Sequence, residues 1–263
     1  MDLKLQDKRA FIAGSSRGLG YAIAKILAQE GCSVAINGRN SQGISNAAQR
    51  LRAETNGAIL ALAGDVGQPE TPAELIKQTV EAFGGLDLLV TNAGGPPSGK
   101  FDSFDDLTWQ KAIDLSLLSH VRLIRAALPH LRQSICASVV TMTSYSIKQP
   151  IPNLVLSNSV RAATVGLTKT LSLELGADKI RFNSILPGWT MTERVQELMT
   201  YRAEANKTSV EEEISRLTRD ISLGRMAQPE EVANAVVFLL SPVASYITGV
   251  MLTIDGGIYK GTL

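Results

Sequence analysis

This sequence has few cysteines and almost no net charge, and each of these features restricts the kinds of protein that it can be. Only Cys32 and Cys136 occur among 263 residues, and each starts an apolar, strand-like stretch. Two such thiols favour a reduced, cytoplasmic protein in which both are inert core residues. The formal net charge is +1, so no overall field favours nucleic acid or a membrane surface as a partner.

The sequence has no long hydrophobic run of the kind that secretion or membrane insertion uses. Residues 1–6 contain no apolar signal core, so we expect no secretion by that route. The longest charge-free stretch toward the C-terminus, 232–254, is interrupted by Asn234, Pro242 and Gly249. It predicts a buried helix, a loop and a strand instead of a membrane span.

Apolar runs of strand length alternate with amphipathic segments of helix length along the chain. With 44% hydrophobic residues and no repeat or break in composition, residues 1–263 are predicted to form one domain. Strands are predicted at 9–13, 32–37, 58–63, 86–91, 137–143, 180–186 and 250–254, and helices at 18–30, 41–55, 70–83, 105–132, 154–175 and 229–240. This alternation predicts an α/β fold with a Rossmann-type, doubly wound parallel seven-stranded sheet and helices on both faces.

A glycine-rich turn joins the first predicted strand to the first predicted helix. Glycine permits a sharp bend and lets a ligand approach the backbone, while the helix N-terminus presents unpaired N–H groups that suit a pyrophosphate. The pattern therefore predicts a dinucleotide site, although a tight turn without a ligand would have the same glycines. The predicted binding residues of this turn are Gly14, Ser16, Arg17, Gly18, Leu19 and Gly20.

The second predicted strand ends without the acidic residue that holds the ribose diol of NAD in dinucleotide folds. Arg39 follows this strand instead, and Arg17 lies in the glycine turn. Two guanidinium groups can hold the 2′-phosphate of NADP through several charge-assisted bonds. We therefore expect NADP(H) to be preferred over NAD(H); the alternative is that either arginine is merely solvated.

Two further strand ends carry candidate cofactor residues. Asp65 and Val66 follow the third strand, where a carboxylate can accept from an adenine amino group; the alternative is that Asp65 caps a turn. Asn92, Ala93 and Gly94 follow the fourth strand. We predict that the Asn92 amide pins neighbouring strand ends together and that Gly94 leaves the floor of the groove bare.

Together these residues resemble the short-chain dehydrogenase/reductase family across nearly the whole chain. Asn92-Ala93-Gly94 matches its N-A-G element, and the segment 181–188 matches its sixth strand and the start of the loop over the nicotinamide. The segments 224–232 and 255–257 resemble the C-termini of 3-oxoacyl-[acyl-carrier-protein] reductases. In the loop over the nicotinamide, the resemblance assigns cofactor contacts to Pro187, Gly188, Thr190 and Thr192.

The resemblance also implies architecture, activity and partners. It implies the strand order 3-2-1-4-5-6-7, a homotetramer or homodimer, and an NADP(H)-dependent oxidoreductase acting on a small-molecule carbonyl or alcohol. The charged stretch 193–219 falls where the family carries its substrate lid; a solvated helical hairpin without substrate contact is the alternative. His120 and His130 have no cysteine or acidic cluster at ligand spacing, so no metal site is predicted.

The catalytic positions depart from the family's Asn, Ser, Tyr and Lys. Ser144 matches the serine, but Ser157 stands at the tyrosine position and Arg161 at the lysine position. Ser116 stands at the asparagine position. Ser157 can donate a hydrogen bond or hold a water. Arg161 cannot relay a proton, but it can bond the nicotinamide ribose hydroxyls or hold a carboxylate or phosphate of a substrate.

Two functions are compatible with these departures. The first is an oxidoreductase with a degenerate tetrad, in which Tyr145 with Lys148 could supply the missing acid; alternatively Tyr145 packs or faces solvent and Lys148 is solvated. The second is a catalytically impaired NADP(H)-binding protein that acts as a sensor, regulator or partner subunit. We favour the first, because the cofactor-side residues are complete.

Overall fold

A computed structural model describes residues 2–55 and 57–262 of the chain, and its strands form one parallel sheet. The strands are β1 (Arg9–Ile12), β2 (Ser33–Gly38), β3 (Ile59–Ala63), β4 (Leu88–Thr91), β5 (Ser138–Met142), β6 (Arg181–Pro187) and β7 (Met251–Ile254). Their order in the sheet is β3-β2-β1-β4-β5-β6-β7, and every neighbouring pair is parallel. This architecture confirms the predicted fold class and strand order.

The helices connect these strands and cover both faces of the sheet. They are α1 (Gly18–Gln29), α2 (Ser41–Thr55), α3 (Thr71–Phe83), α4 (Asp106–Ile113), α5 (Ser119–Leu131), α6 (Val155–Glu174), α7 (Glu193–Asn206), α8 (Val210–Thr218) and α9 (Pro229–Leu240). The predicted strand ends agree with the structure within two residues. Five of the six predicted helices agree equally well.

The sixth prediction, one helix over 105–132, was wrong in detail. A π-helical turn, Asp114–Leu118, separates α4 from α5, and the Ser119 N–H bonds the Asp114 carbonyl five residues back. The hydroxyl of Thr164 on α6 donates to the Ser116 carbonyl at 2.6 Å, so this turn is tied to the neighbouring helix. Such a wide turn depends on a tertiary contact, which the apolar periodicity of one segment does not contain.

The core consists of two apolar layers, one on each face of the sheet. Alternate strand residues enter opposite layers: Ile12 packs with α1, α2 and α9, whereas Phe11 packs with α3 and α5. Strands buried on both faces read as continuous apolar runs, which explains why they were recognisable. The crossovers leave the carboxyl ends of the strands together at one edge.

At the opposite edge of the sheet, an ion pair joins the start of β1 to Asp87, the residue just before β4. The Asp87 carboxylate accepts from Arg9 Nε at 2.8 Å, from the Arg9 backbone N–H at 2.9 Å and from the Ser134 hydroxyl at 2.6 Å. Asp87 is almost fully buried. Burial by itself would raise the pKa of this carboxyl, but the hydrogen bonds from Arg9 and Ser134 outweigh it and leave the pKa below its usual value.

The described residues contain no helix long and apolar enough to cross a membrane. Both cysteines carry free thiols, Cys32 fully buried and Cys136 half-buried. Burial raises the pKa of the Cys32 thiol to about 12 and also raises that of Cys136. Thiols with raised pKa values carry little reactive thiolate, which fits the interpretation of both as inert.

Candidate active site

One groove of about 520 Å³ runs across the carboxyl ends of the central strands. Its walls are the glycine turn after β1, the ends of β2 to β6, part of α6 and the first turn of α7. The groove brings together every residue for which the sequence predicted cofactor contact. Of the five predicted catalytic residues, Ser144, Tyr145, Ser157 and Arg161 line it, and Ser116 does not.

The glycine turn has the backbone shape that its sequence predicted. Gly14 and Gly18 have φ values of +57° and +60°, which favour glycine, and a Cβ on Gly20 would overlap the Gly14 carbonyl. Helix α1 begins at Gly18 with no side-chain cap and no acidic residue in its first turn. The first N–H groups of α1 therefore have no acidic partner within their own turn, and an external phosphate could accept from them.

Two amides hold the turn in place from neighbouring strands. Asn92 Nδ2 donates to the carbonyls of Ala13 and Gly14 at 3.3 and 3.0 Å, which is the pinning that the sequence predicted. Asn37 was missed: its Oδ1 accepts from the Gly14 N–H at 3.4 Å, and its Nδ2 donates to the Leu62 and Gly64 carbonyls at 3.2 and 3.0 Å. The available signal was a polar side chain at the end of an otherwise apolar strand.

The predicted phosphate clamp contains one free and one paired arginine. Arg39 is exposed at the end of β2, and among the described residues its guanidinium has no partner. Arg17 Nη1 instead lies 2.9 Å from Glu197 Oε1 on α7. Asp65 lines the groove and also accepts from the Gly67 N–H at 3.0 Å, so the turn-capping alternative is part of its role.

Two serine hydroxyls at the other end of the groove are arranged alike. Ser144 Oγ accepts from the Ser146 N–H at 3.1 Å, and Ser157 Oγ accepts from Arg161 Nε at 3.1 Å. In the part of the chain that the structure describes, neither hydroxyl donates a hydrogen bond to the protein. Because a serine has one O–H donor, each donor remains available to a group in the groove.

Arg161 connects Ser157 to the end of β5. Its Nη1 donates to the carbonyls of Met142 and Thr143 at 3.3 and 3.1 Å, while its Nε reaches Ser157. The positive charge makes the bond to Ser157 stronger than a neutral one and withdraws electron density from the hydroxyl. The guanidinium is therefore suited to polarising Ser157 and fixing its rotamer.

Tyr145 and Lys148 are not arranged as an acid and its cation. Tyr145 is buried between Trp189 and an apolar cluster that includes Ile221 and Ile258, and burial raises the pKa of its phenol, with a smaller opposing effect from Trp189. The Lys148 ammonium lies 5.2 Å from the centre of the Tyr259 ring, and Lys148 does not line the groove. A raised pKa is opposite to what a proton donor near neutral pH needs.

Ser116 and His120 lie behind the groove instead of in it. Ser116 is buried in the π-helical turn, and its hydroxyl has no partner among the described residues. His120 Nδ1 lies 2.7 Å from the Thr91 hydroxyl, and burial lowers the pKa of its ring to about 3, with a smaller effect from Arg161. The ring is therefore neutral at physiological pH, and the described residues contain no cluster that could hold a metal.

The stretch 193–219 forms the helix pair α7 and α8 beside the groove. Thr192 caps α7, and Thr192, Glu193 and Val195 line the groove. Glu213 of α8 accepts from Thr208 at 2.7 Å and from Arg216 at 2.9 Å, which stabilises the pair internally. The hairpin expected as one alternative therefore also contacts the groove at its first turn.

Comparison with known proteins identifies the family to which the chain belongs. A family model described as enoyl-(acyl carrier protein) reductase matches residues 13–259. Dehydrogenase/reductase SDR family member 4 of Oryctolagus cuniculus is 34% identical over 254 residues, with 96% of this chain and 94% of that protein covered. The chain belongs to the short-chain dehydrogenase/reductase family, and it is an oxidoreductase of that type.

Solved structures agree with this family. L-sorbose reductase from Gluconobacter frateurii, in complex with NADPH and L-sorbose, superposes with a TM-score of 0.96 at 31% identity, covering 99% of this chain and 100% of that one. An NADPH-bound short chain oxidoreductase from Pseudomonas aeruginosa PAO1, containing an atypical catalytic center, superposes with a TM-score of 0.89 at 27% identity. Coverage is 98% of this chain and 100% of that one.

Proposed function

We propose that the protein is an NADP(H)-dependent oxidoreductase that holds a carbonyl or alcohol oxygen with the hydroxyls of Ser144 and Ser157. The observation that carries this proposal is that the two serine hydroxyls have the same hydrogen-bonding arrangement. Each hydroxyl accepts from a fixed donor at 3.1 Å and keeps its own O–H for a groove ligand. Two such donors can stabilise the negative charge that develops on a carbonyl oxygen during reduction.

The groove fits a dinucleotide on its own geometry. A Cβ on Gly20 would fill the cradle between the turn and α1, and the α1 N-terminus has no anion of its own. Gly18, Leu19 and the glycine turn would hold the pyrophosphate, Asp65 and Val66 the adenine, and Asn92 to Gly94 the floor. When bound, NADPH supplies the hydride for carbonyl reduction.

The residues around the reacting oxygen divide their roles by chemistry. Arg161 stays protonated, so it polarises Ser157 without exchanging a proton. Serine ionises far above working pH, so Ser144 and Ser157 donate hydrogen bonds to the oxygen without giving up a proton. A solvent water gives its proton to the reduced oxygen, and the hydroxide that remains is neutralised by the buffer. Arg161 would also contact the nicotinamide ribose hydroxyls, and Pro187 to Thr192 would cover the nicotinamide.

The preference for NADP(H) over NAD(H) rests on Arg39. Its guanidinium is exposed at the groove, and the end of β2 carries no carboxylate. Arg39→Ala is expected to weaken NADPH binding about tenfold and to leave NADH binding unchanged, because hydrogen bonds to a charged phosphate are lost. Nucleotide fluorescence titration measures both affinities.

A matched control removes one arginine outside the groove. Arg50 lies on α2 with its guanidinium 4.7 Å from the centre of the Tyr21 ring, so Arg50→Ala changes net charge equally without touching the groove. An unchanged NADPH to NADH ratio in Arg39→Ala, or an equal change in Arg50→Ala, would contradict the assignment.

The substrate class that we propose is a 3-oxoacyl-like carbonyl compound. The segments that resemble 3-oxoacyl-[acyl-carrier-protein] reductases support it, and a protein of that name from Chlamydia muridarum is 30% identical over 257 residues. The apolar side chains of Ile151, Leu154 and Trp189, which line the same groove as Ser157, also suit an acyl chain. A panel of 3-oxoacyl thioesters, neutral ketones and sugars would rank these substrates by kcat/KM.

A second candidate function is NADP(H) binding with little redox turnover, as a sensor, regulator or partner subunit. The replacement of the family's tyrosine and lysine by Ser157 and Arg161 favours it. Activity that appears only when Ser157→Tyr and Arg161→Lys are combined would support this candidate. Turnover by the native protein near the enzyme median of about 10 s⁻¹ would exclude it.

We also propose that the protein forms a homotetramer or homodimer in the cytoplasm. The exposed side of α6 carries Ala162, Ala163 and Gly166, and a Cβ on Gly166 would meet no atom within 4 Å. Small side chains allow a second copy to approach closely, and light scattering would give the mass. The two free thiols support a reducing compartment.

A further inference from the structure

One ion pair joins the glycine turn to helix α7. Arg17 Nη1 and Glu197 Oε1 are 2.9 Å apart, although the residues are separated by 180 positions in the chain. Their side chains are 55% and 64% exposed, so solvent ions can reach both. Among the residues that the structure describes, neither side chain has another hydrogen-bond or ion-pair partner.

The first turn of α7 brings a second carboxylate to the same place. A Cβ built on Gly18 would lie 3.4 Å from Thr192 Cγ2 and 3.8 Å from Glu193 Oε2. Glu193 also lines the groove. Two carboxylates of α7 therefore lie beside the turn whose arginine and N–H groups are suited to phosphate.

We propose that Glu197 is a specificity-determining residue, which lowers the affinity for a 2′-phosphorylated nucleotide by competing for Arg17. This inference rests on the proposed binding of NADP(H). A phosphate monoester carries about −1.5 to −2 charges at pH 7 and is a stronger partner for a guanidinium than a carboxylate is. To bind Arg17, the 2′-phosphate must displace the Glu197 carboxylate, and it then remains close to that negative charge, which repels it. NADH carries no 2′-phosphate and makes no such exchange.

Glu197→Gln is expected to tighten NADPH binding about two- to fivefold, which is the range of an exposed ion pair. NADH binding is expected to stay unchanged. In an Arg17→Ala background, Glu197→Gln is expected to have no effect on NADPH, because the competitor then has nothing to compete for. Fluorescence titration of the four proteins with both nucleotides completes this cycle without any substrate.

Glu204→Gln is the matched control, because Glu204 lies on the same helix seven positions further on and is exposed. An equal gain in Glu204→Gln, a loss of NADPH affinity in Glu197→Gln, or a gain that persists with Arg17→Ala would overturn the inference. Binding of NADPH by the wild type with no effect of Glu197→Gln would overturn it alone. Absence of binding by both the wild type and Glu197→Gln would overturn the proposed function with it.

Discussion

Replacing Ser144 and Ser157 together by alanine is expected to lower kcat/KM about 1,000-fold on whichever carbonyl substrate the wild type reduces best. Removal of one preorganised oxyanion donor costs about 100- to 1,000-fold in an enzyme. Each single substitution is expected to lower turnover about 100-fold, with effects that do not add, because both donors act on one oxygen. Affinity for NADPH, measured by titration, is expected to stay within about twofold.

Ser146→Ala provides the control for this experiment. The Ser146 side chain is buried and has no partner among the described residues, and only its backbone N–H bonds Ser144. The control is expected to keep nearly full activity. A double variant that retained most of its turnover would remove the serines from the mechanism. A larger loss in Tyr145→Phe than in Ser157→Ala would instead assign proton donation to Tyr145.

Asp87→Ala is expected to lower the free energy of unfolding by about 3 kcal/mol, which is the low end for breaking a buried ion pair. Asp87 accepts four hydrogen bonds, three from Arg9 and one from Ser134. The low end applies because the Arg9 side chain is 30% exposed and keeps a bond to the Gly84 carbonyl at 2.9 Å. Urea unfolding at pH 7 measures the difference.

The ion pair of Arg9 and Asp87 also predicts how the free energy of unfolding depends on pH. The pKa of Asp87 is lower in the folded chain than in the unfolded chain, so its carboxylate stabilises the fold above the unfolded value of about 3.9. That contribution is lost as the pH falls through the folded pKa. The difference between wild type and Asp87→Ala should therefore be complete at pH 7 and shrink below about pH 4.

The exposed ion pair of Arg132 and Asp178 is the control for the effect of burial on the Asp87 pair. Its atoms are 2.8 Å apart, but the side chains are 50% and 36% exposed. Asp178→Ala is expected to cost less than about 1 kcal/mol, because solvent screens such a pair. Equal losses in Asp87→Ala and Asp178→Ala would contradict the importance given to burial.

The sequence was informative wherever a short segment determines its own structure. The apolar runs predicted every strand within two residues, because strands buried on both faces have a distinctive composition. The glycine turn was also predictable from its own residues, because Gly14 and Gly18 adopt a backbone conformation that other residues rarely adopt. The Asn92 contacts followed from its place at a strand end.

Features set by distant partners were not predictable. The π-helical turn depends on the Thr164 bond to the Ser116 carbonyl, and it leaves Ser116 behind the groove rather than in it. The Arg17 and Glu197 pair joins residues 180 positions apart. The donors to Ser144 and Ser157 were also invisible, because they depend on local backbone geometry and on the rotamer of Arg161.

Titration of the wild-type protein with NADPH and with NADH tests the central claim most directly, since it needs no substrate. Trp189 lines the groove, so tryptophan quenching and the fluorescence of the bound nucleotide both report on occupancy. The account predicts micromolar affinity for NADPH and binding of NADH at least about tenfold weaker. Binding of neither nucleotide would mean that the glycine turn is structural, and it would contradict the proposed oxidoreductase.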